Sequence, residues 1–441
     1  MNILILSYYR IYPPTTGGGI AQFATLEYLS NICNISLLIC EKFSLSHEEL
    51  SRLRYLLPKV KIYNLDHFPS QENNQEIGTS NIVDKSLHFL WTSLRQLKYF
   101  LKHIIFTKRD KKKDISKESE FEIFFSPNQF FTHSKRLIDT INRIITEDKI
   151  DIVQIEFYVN LNLVTAIPSS VKKVFISHEL MFARIQSHIN ARKTSSPYAD
   201  YVLMLNKTIE LSFVEKFDAV ISFSEHDSSE LKNSLAEHGS KIKFATIPFA
   251  VLDQDFQEIS KNSFKTINKL VFIGAESHFP NKDAVEWFLE EAATEIFLRF
   301  GLRLYVIGSW SKQTVAKYQH HPSRVCFTGF VENIYDVLKN SISIAPVRIG
   351  GGIQSKVLVS MAQGIPVICS EFAAIGINVK HLESVMLGEN KNSFCESVQC
   401  YIENPHNTFL ICQKAQQIVK QQYSQAVISQ LRYKFYQDCL S

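Results

Sequence analysis

Short apolar runs alternate along the chain with longer stretches in which apolar residues recur every three or four positions. The runs have the length of strands buried on both faces, and the stretches have the period of amphipathic helices. Their alternation predicts α/β units wound around parallel sheets. In the first half the strand candidates are residues 2–6, 35–40, 60–65, 151–156, 173–177 and 219–223. A second series begins near Lys269 with KLVFIG and a helix from Lys282 to about Phe300. It continues through LRLYVIG, VCFTG, SISIAPV and IPVICS. Many of these strands end in glycine, as turns into nucleotide or phosphate loops require. The expected architecture is two doubly wound domains, residues 1–250 and 265–423, joined by a polar stretch after IPFAV. A last helix occupies 424–441.

Residues 73–120 interrupt the first series. QENNQEIGTSN reads as a loop, and a helix is expected from Lys85 to about Phe106. Leu87, Leu90, Trp91, Leu94, Leu97, Leu101, Ile104 and Ile105 form one apolar stripe at helical spacing. Arg95, Lys98 and Lys102 flank it, and Lys108, Arg109, Lys111, Lys112 and Lys113 follow as a dense cluster. Such a helix either packs on its own domain or lies on an anionic lipid surface. Charge supports the second reading: Lys85–Lys113 holds nine of the 48 basic residues and one of the 44 acids, so without it the net charge falls from +4 to −4.

Composition narrows the class without choosing a function. With 441 residues, 45% hydrophobic and 21% charged, the chain has the make-up of a soluble protein of two or three domains. It is not a disordered, collagen-like or disulfide-stapled chain, and +4 is too small a charge to argue for nucleic acid. The eight cysteines show no CxxC pair, which suits free thiols in a reducing cytosol. Nothing resembles a signal peptide, and no run approaches the roughly 18 apolar residues of a membrane span. A cytoplasmic protein, peripheral on the inner face of the plasma membrane, is expected.

Two glycine clusters carry the candidate chemistry. Gly17, Gly18 and Gly19 follow the first strand and open a helix. They allow close backbone approach, and the helix end offers free N–H groups to an anion. Turn geometry alone would also account for them, since they match neither GxGxxG nor GxxxxGK[ST]. The second cluster, Arg348-Ile-Gly-Gly-Gly-Ile-Gln-Ser-Lys356, places Gly350, Gly351 and Gly352 and two cations around another helix start, with Gly364 as its C-terminal stop. Backbone donors and a fixed ammonium together suit a diphosphate.

The block RIGGGIQSKVLVSMAQGIPVICSEFAAIGI resembles the donor-site signature of family-4 (group 1) glycosyltransferases of the GT-B fold. FIGAESHFPNKDAVEWF, YVIGS and VCFTGFVENI agree in order, and ISHEL, AVISFSEHD and IPFAV agree more loosely. The resemblance covers most of the chain outside about residues 73–130. It implies two Rossmann-like domains facing a cleft, with the donor on the C-terminal one, the acceptor on the N-terminal one, and the last helix crossing back. It further implies retaining transfer of a sugar from a nucleotide-sugar donor to a glycan or lipid-linked acceptor, usually without metal. Lys356 and Arg348 would neutralise the diphosphate, and Gly350–Gly352 and Gln354 would surround the donor. The main chain at Phe330 and Val331 would read the base, and Gly274 and Ser309 would line the donor side. Gly17–Gly19 would approach the phosphates from the other domain, and His178 would stand near the transferred sugar.

One departure is plain. The family's Glu-x(7)-Glu pair falls here on Gly351 and Val359, and valine cannot accept hydrogen bonds from ribose hydroxyls. Glu371, beyond the next strand, is a candidate substitute. No HExxH, DxD or Cys/His cluster falls on the strand ends that would form the cleft, and acids such as Asp227 lack a partner at ligand spacing, so no metal or cofactor is expected. Three other readings stay open at this point: a GT-B nucleotide-sugar epimerase, a decayed nucleotide-sugar-binding scaffold, and, weakly, a NAD-dependent oxidoreductase.

Overall fold

The computed structural model describes residues 1–7, 10–14, 17–40, 44–65, 132–192, 195–236, 241–331 and 333–441. The segment Lys85–Lys113, with Trp91 and its nine cations, lies outside the described residues.

The first sheet comprises β1 (Asn2–Ser7), β2 (Asn34–Ile39), β3 (Val60–Asn64), β4 (Ile152–Glu156), β5 (Lys172–Ser177), β6 (Ala219–Ser222) and β7 (Lys243–Thr246). Its order is β3-β2-β1-β4-β5-β6-β7, and every pair is parallel. Its helices are α1 (Gly17–Leu29), α2 (His47–Leu56), α3 (Lys135–Glu147), α4 (Met181–Arg192), α5 (Pro197–Val214) and α6 (Glu225–Ala236). The second sheet comprises β8 (Lys269–Ile273), β9 (Arg303–Ile307), β10 (Cys326–Gly329), β11 (Ser341–Ala345), β12 (Val367–Cys369) and β13 (Met386–Leu387). Its order is β10-β9-β8-β11-β12-β13, again parallel throughout. Around it lie α7 (Phe279–Phe288), α8 (Thr294–Phe300), α9 (Lys312–Lys317), α10 (Ile334–Leu338), α11 (Ser355–Ala362), α12 (Glu371–Ala374), α13 (Lys391–Glu403) and α14 (Pro405–Gln422). The final helix is α15 (Gln425–Leu440).

The local physics is legible. Ile3, Leu4, Ile5 and Leu6 are all buried, as a central parallel strand covered by helices on both faces demands. In α3 the stripe Leu137, Ile141, Ile144 and Ile145 is buried, and the Ser134 hydroxyl caps the first turn by accepting from the Leu137 N–H. Helix α2 starts with a reciprocal capping box between Ser46 and Glu49. The expected helix from Lys282 begins at Phe279, with Pro280 in its first turn, where proline's missing donor does no harm. It reaches Phe300 through a π-turn at Leu289–Ala293.

Two strands were absent from the sequence pattern. β7, KFAT, is an edge strand with no fully buried residue, and β13 is only two residues long. Neither presents the apolar run that marks a central strand.

Between the sheets, IPFAV (Ile247–Val251) is largely buried, and the polar stretch after it is mostly exposed or half-buried, pinned by buried Leu252 and Phe264. Val251 donates its N–H to the Tyr423 carbonyl (2.7 Å) and bridges to Ser424, so the outgoing and returning crossings run side by side. Helix α15 then packs against α1, where the Gln425 side chain donates to the Ala24 carbonyl (2.7 Å).

Candidate active site

In an open α/β sheet the ligand crevice lies where the strand order reverses, beyond the carboxyl ends of the strands. The reversal falls between β1 and β4 in the first sheet and between β8 and β11 in the second. These four strands lead into Gly17–Gly19, Glu156, Gly274 and Gly350–Gly352, so topology alone gathers most of the candidates at two facing edges.

The turn from β11 to α11 is built on glycine because its backbone requires it. Gly350 and Gly352 have φ of +122° and +66°, a region that side chains disfavour. Space requires it too: a Cβ on Gly352 would lie 2.5 Å from the His178 carbonyl oxygen. The Gly350 N–H donates to the Ser187 hydroxyl on α4 at 2.9 Å. The glycine turn of the second domain is thus seated on the loop after β5 in the first.

The two helix starts meet across this contact. A Cβ on Gly17, the first residue of α1, would lie 3.6 Å from Ser355 Oγ, the first residue of α11. Two helix N-termini, with their two positive dipole ends, therefore converge on one place. Gly18 is held to glycine by the Phe157 ring, 2.6 Å from where its Cβ would be.

Lys356 lies in the first turn of α11. Its Nζ donates to Asn281 Oδ1 at 2.6 Å and stands 4.6 Å from the centre of the Phe272 ring. Burial pushes its pKa down to about 7. Asn281 in turn donates to the Ala275 carbonyl at 3.0 Å and packs where a Cβ on Gly274 would sit, 2.5 Å away. His278, one turn before, is exposed at its surface, and crowding around the ring, with Arg184 beside it, lowers its pKa.

His178 is held tightly. Its Nε2 is 2.8 Å from Glu156 Oε2, and the two side chains are 11% and 1% exposed. Its ring stacks on Phe157, with centroids 3.9 Å apart, and leans on Phe223 at 4.5 Å. The next residue, Glu179, pairs with Arg184 at 2.8 Å. Its Oε2 lies 3.5 Å from where Gly351 would carry a Cβ. A carboxylate of the first domain thus lies in contact with the place where a side chain at position 351 would begin.

The remaining candidates are placed differently. Arg348 is 41% exposed, bonds Asp283 at 2.9 Å and lies over Trp287, so its guanidinium is engaged with α7. Ser309 and Gly274 are neighbours: Trp310 Nε1 donates to the Gly274 carbonyl (2.9 Å), and the Ser309 carbonyl accepts from the Glu276 N–H (3.0 Å). Phe330 is exposed at the end of β10, and Val331 packs against the buried cluster of Val271, Ile307, Leu338 and Ile365. Gln354 is buried at the N-cap of α11. Glu371 opens α12, with its N–H bonded to the Glu389 carboxylate. Val359 lies within α11.

Sequence reading missed Glu156, Glu179, Asn281 and His278. Glu179 and Asn281 sit inside the quoted blocks ISHEL and FPNKDA, but no spacing rule marks them. Glu156 carries a weak signal, as a carboxylate closing an otherwise apolar strand run. Among the described residues no group of three or more His, Cys, Asp or Glu could hold a metal ion, and no helix is long and apolar enough to cross a membrane.

Comparison with known proteins agrees with this fold. Residues 267–404 match the family model described as glycosyl transferases, group 1. No curated protein matches the chain by sequence. Solved structures match over almost the whole length at low identity. A sucrose-phosphate synthase from Thermosynechococcus elongatus is 13% identical, with a TM-score of 0.63 over 99% of this chain and 98% of that one. Anabaena HepE in complex with UDP-glucose is 13% identical, with a TM-score of 0.62 over 99% and 100%. A mutant of S. aureus TarM, in complex with fondaparinux, alpha-GlcNAc-glycerol and UDP, is 13% identical, with a TM-score of 0.65 over 100% and 99%. Residues 267–404 of the second domain thus carry the match to the group 1 glycosyl transferases, and the two domains together have the fold of these solved structures, the GT-B fold.

Proposed function

We propose that this enzyme transfers a sugar, with retention of configuration, from a nucleotide-sugar donor to a glycan or lipid-linked acceptor in bacterial-type surface polysaccharide synthesis. The observation that carries the donor half is the meeting of the α1 and α11 N-termini at Gly17 and Ser355, beside Lys356. The donor diphosphate lies across these helix ends. Transfer forms a bond from the acceptor oxygen to the sugar carbon and breaks the bond from that carbon to the diphosphate oxygen. The acceptor proton leaves with the diphosphate. Lys356 and the oriented N–H groups stabilise the charge that grows on the leaving group, each such donor contributing about 3–4 kcal/mol in a water-excluded site. Glu179, at the place of a Gly351 side chain, faces the sugar and supplies the carboxylate that position 351 lacks. The segment Lys85–Lys113 holds the enzyme on the cytoplasmic face of an anionic membrane, near a lipid-linked acceptor.

A thermal-shift panel of UDP-, GDP-, CMP- and dTDP-sugars tests the donor half. A true donor at a hundred times its Kd stabilises the fold by about 2.7 kcal/mol. Product analysis with and without acceptor tests the rest. Conversion of the donor alone would make the enzyme an epimerase, and binding without turnover would make it a scaffold.

A further inference from the structure

Beneath His178 lies a buried polar chain that donor binding does not use. Gln154 and Glu156 stand two residues apart on β4 and so share one face of the strand. Both are 1% exposed. A lone carboxylate there would be strongly disfavoured, so its partners explain its presence. His178 Nε2 lies against one oxygen, and Gln154 Nε2 donates to the other. Arg432, itself 1% exposed on α15, supplies the compensating positive charge, and Tyr436 donates its hydroxyl to Gln154 Oε1. Burial alone would raise the Glu156 carboxyl, but its bond to His178 and the charges of His178 and Arg432 hold it below the usual range, so it is ionised.

An ionised carboxylate only accepts hydrogen bonds. Nε2 of His178 must therefore carry a proton whatever the imidazole's charge. Nδ1 is then the ring nitrogen that does not face the carboxylate. Phe157 and Phe223 fix the plane of the ring.

Resting on the transferase reading above, we propose that Glu156 is a positioning residue that locks His178 in the Nε2–H form and leaves Nδ1 for a sugar hydroxyl, and that Arg432 and Tyr436 make the last helix part of this device. The contact of α15 with α1 is then more than a clasp between the two ends of the chain, because α15 sets the state of a group at the cleft.

The experiment uses the full chain with 15N-labelled histidine. The wild type is expected to show His178 as the Nε2–H tautomer, identified by its loss in His178→Asn. Glu156→Gln, which keeps shape and bonds but ends the acceptor-only constraint, is expected to mix the tautomers. It should also lower kcat about 10- to 100-fold, the usual effect of removing an orienting partner, with donor Kd within twofold of wild type. Arg432→Met should act in the same direction and Arg432→Lys should restore most of the loss. The double variant Glu156→Gln/Arg432→Met, which leaves no uncompensated buried charge, guards against misfolding. An unchanged tautomer and kcat in that double variant would overturn the proposal, as would equal losses of kcat and donor affinity in all variants. The tautomer readout needs no turnover, so it stands apart from any failure of the transferase reading itself.

Discussion

The proposed role of Lys356 predicts a pH dependence of donor binding with a defined sign. In the unliganded protein burial holds its pKa at about 7, against an ordinary 10.5. It is protonated below that pH and neutral above it. A diphosphate beside the ammonium favours the charged form, so the bound pKa moves back toward the ordinary value. Between the two values binding takes up one proton, and affinity falls by up to tenfold per pH unit. From pH 7 to 8.5 the loss is up to about 30-fold, or about 2 kcal/mol. Below pH 7 the affinity is flat. A nucleotide sugar is the right ligand, because a free nucleoside diphosphate has a terminal phosphate proton near pH 6 that would confuse the count. Calorimetry at pH 6, 7, 8 and 8.5, in two buffers of different ionisation heat, measures both affinity and proton uptake. About one proton is expected at pH 8 and almost none at pH 6, and Lys356→Met should abolish the uptake. The linkage runs the other way for the unliganded fold. The unfolded chain keeps the Lys356 proton up to 10.5, so stability rises as pH climbs from about 7 toward that value. Flat affinity with no proton uptake between pH 6 and 8.5, or the same uptake in Lys356→Met, would refute the reasoning.

Gly352→Ala should nearly abolish turnover and cost about 1–3 kcal/mol of stability, since it adds strain at φ +66° and puts a Cβ 2.5 Å from the His178 carbonyl; denaturant titration and a transfer assay measure the two effects. Glu179→Gln is expected to lower kcat at least tenfold with nucleotide affinity unchanged, and loss of nucleotide binding instead would place Glu179 on the wrong part of the donor. Transfer should persist in excess EDTA, and activity lost there but restored by Mg²⁺ or Mn²⁺ would contradict a scheme built on Lys356 and helix ends. Replacing Lys108, Arg109, Lys111, Lys112 and Lys113 with Gln should release the enzyme from anionic liposomes while donor binding survives; equal sedimentation with neutral vesicles would remove the membrane reading.

Much of this protein is written locally. Apolar runs and helical periods mark most of the strands and helices, and the glycine clusters mark both turns at the strand-order reversals, because these features depend on residues within a few positions of one another. Even so, β7 and β13 escape, since an edge strand and a two-residue strand bury too little to show a pattern. Partnership across the fold is what local pattern cannot carry. Tyr436 and Gln154 are 282 residues apart in the chain and joined by one hydrogen bond. That Glu179 of the first domain occupies the space beside Gly351 of the second follows only from how the two edges meet. The same holds for the two basic residues of the second glycine cluster. Their sequence positions are equivalent, flanking Gly350–Gly352, but tertiary packing separates them, turning Arg348 to Asp283 and burying the ammonium of Lys356 beside Asn281. A side chain's chemistry depends on the charges and solvent around it, and those are supplied by elements that only folding brings together.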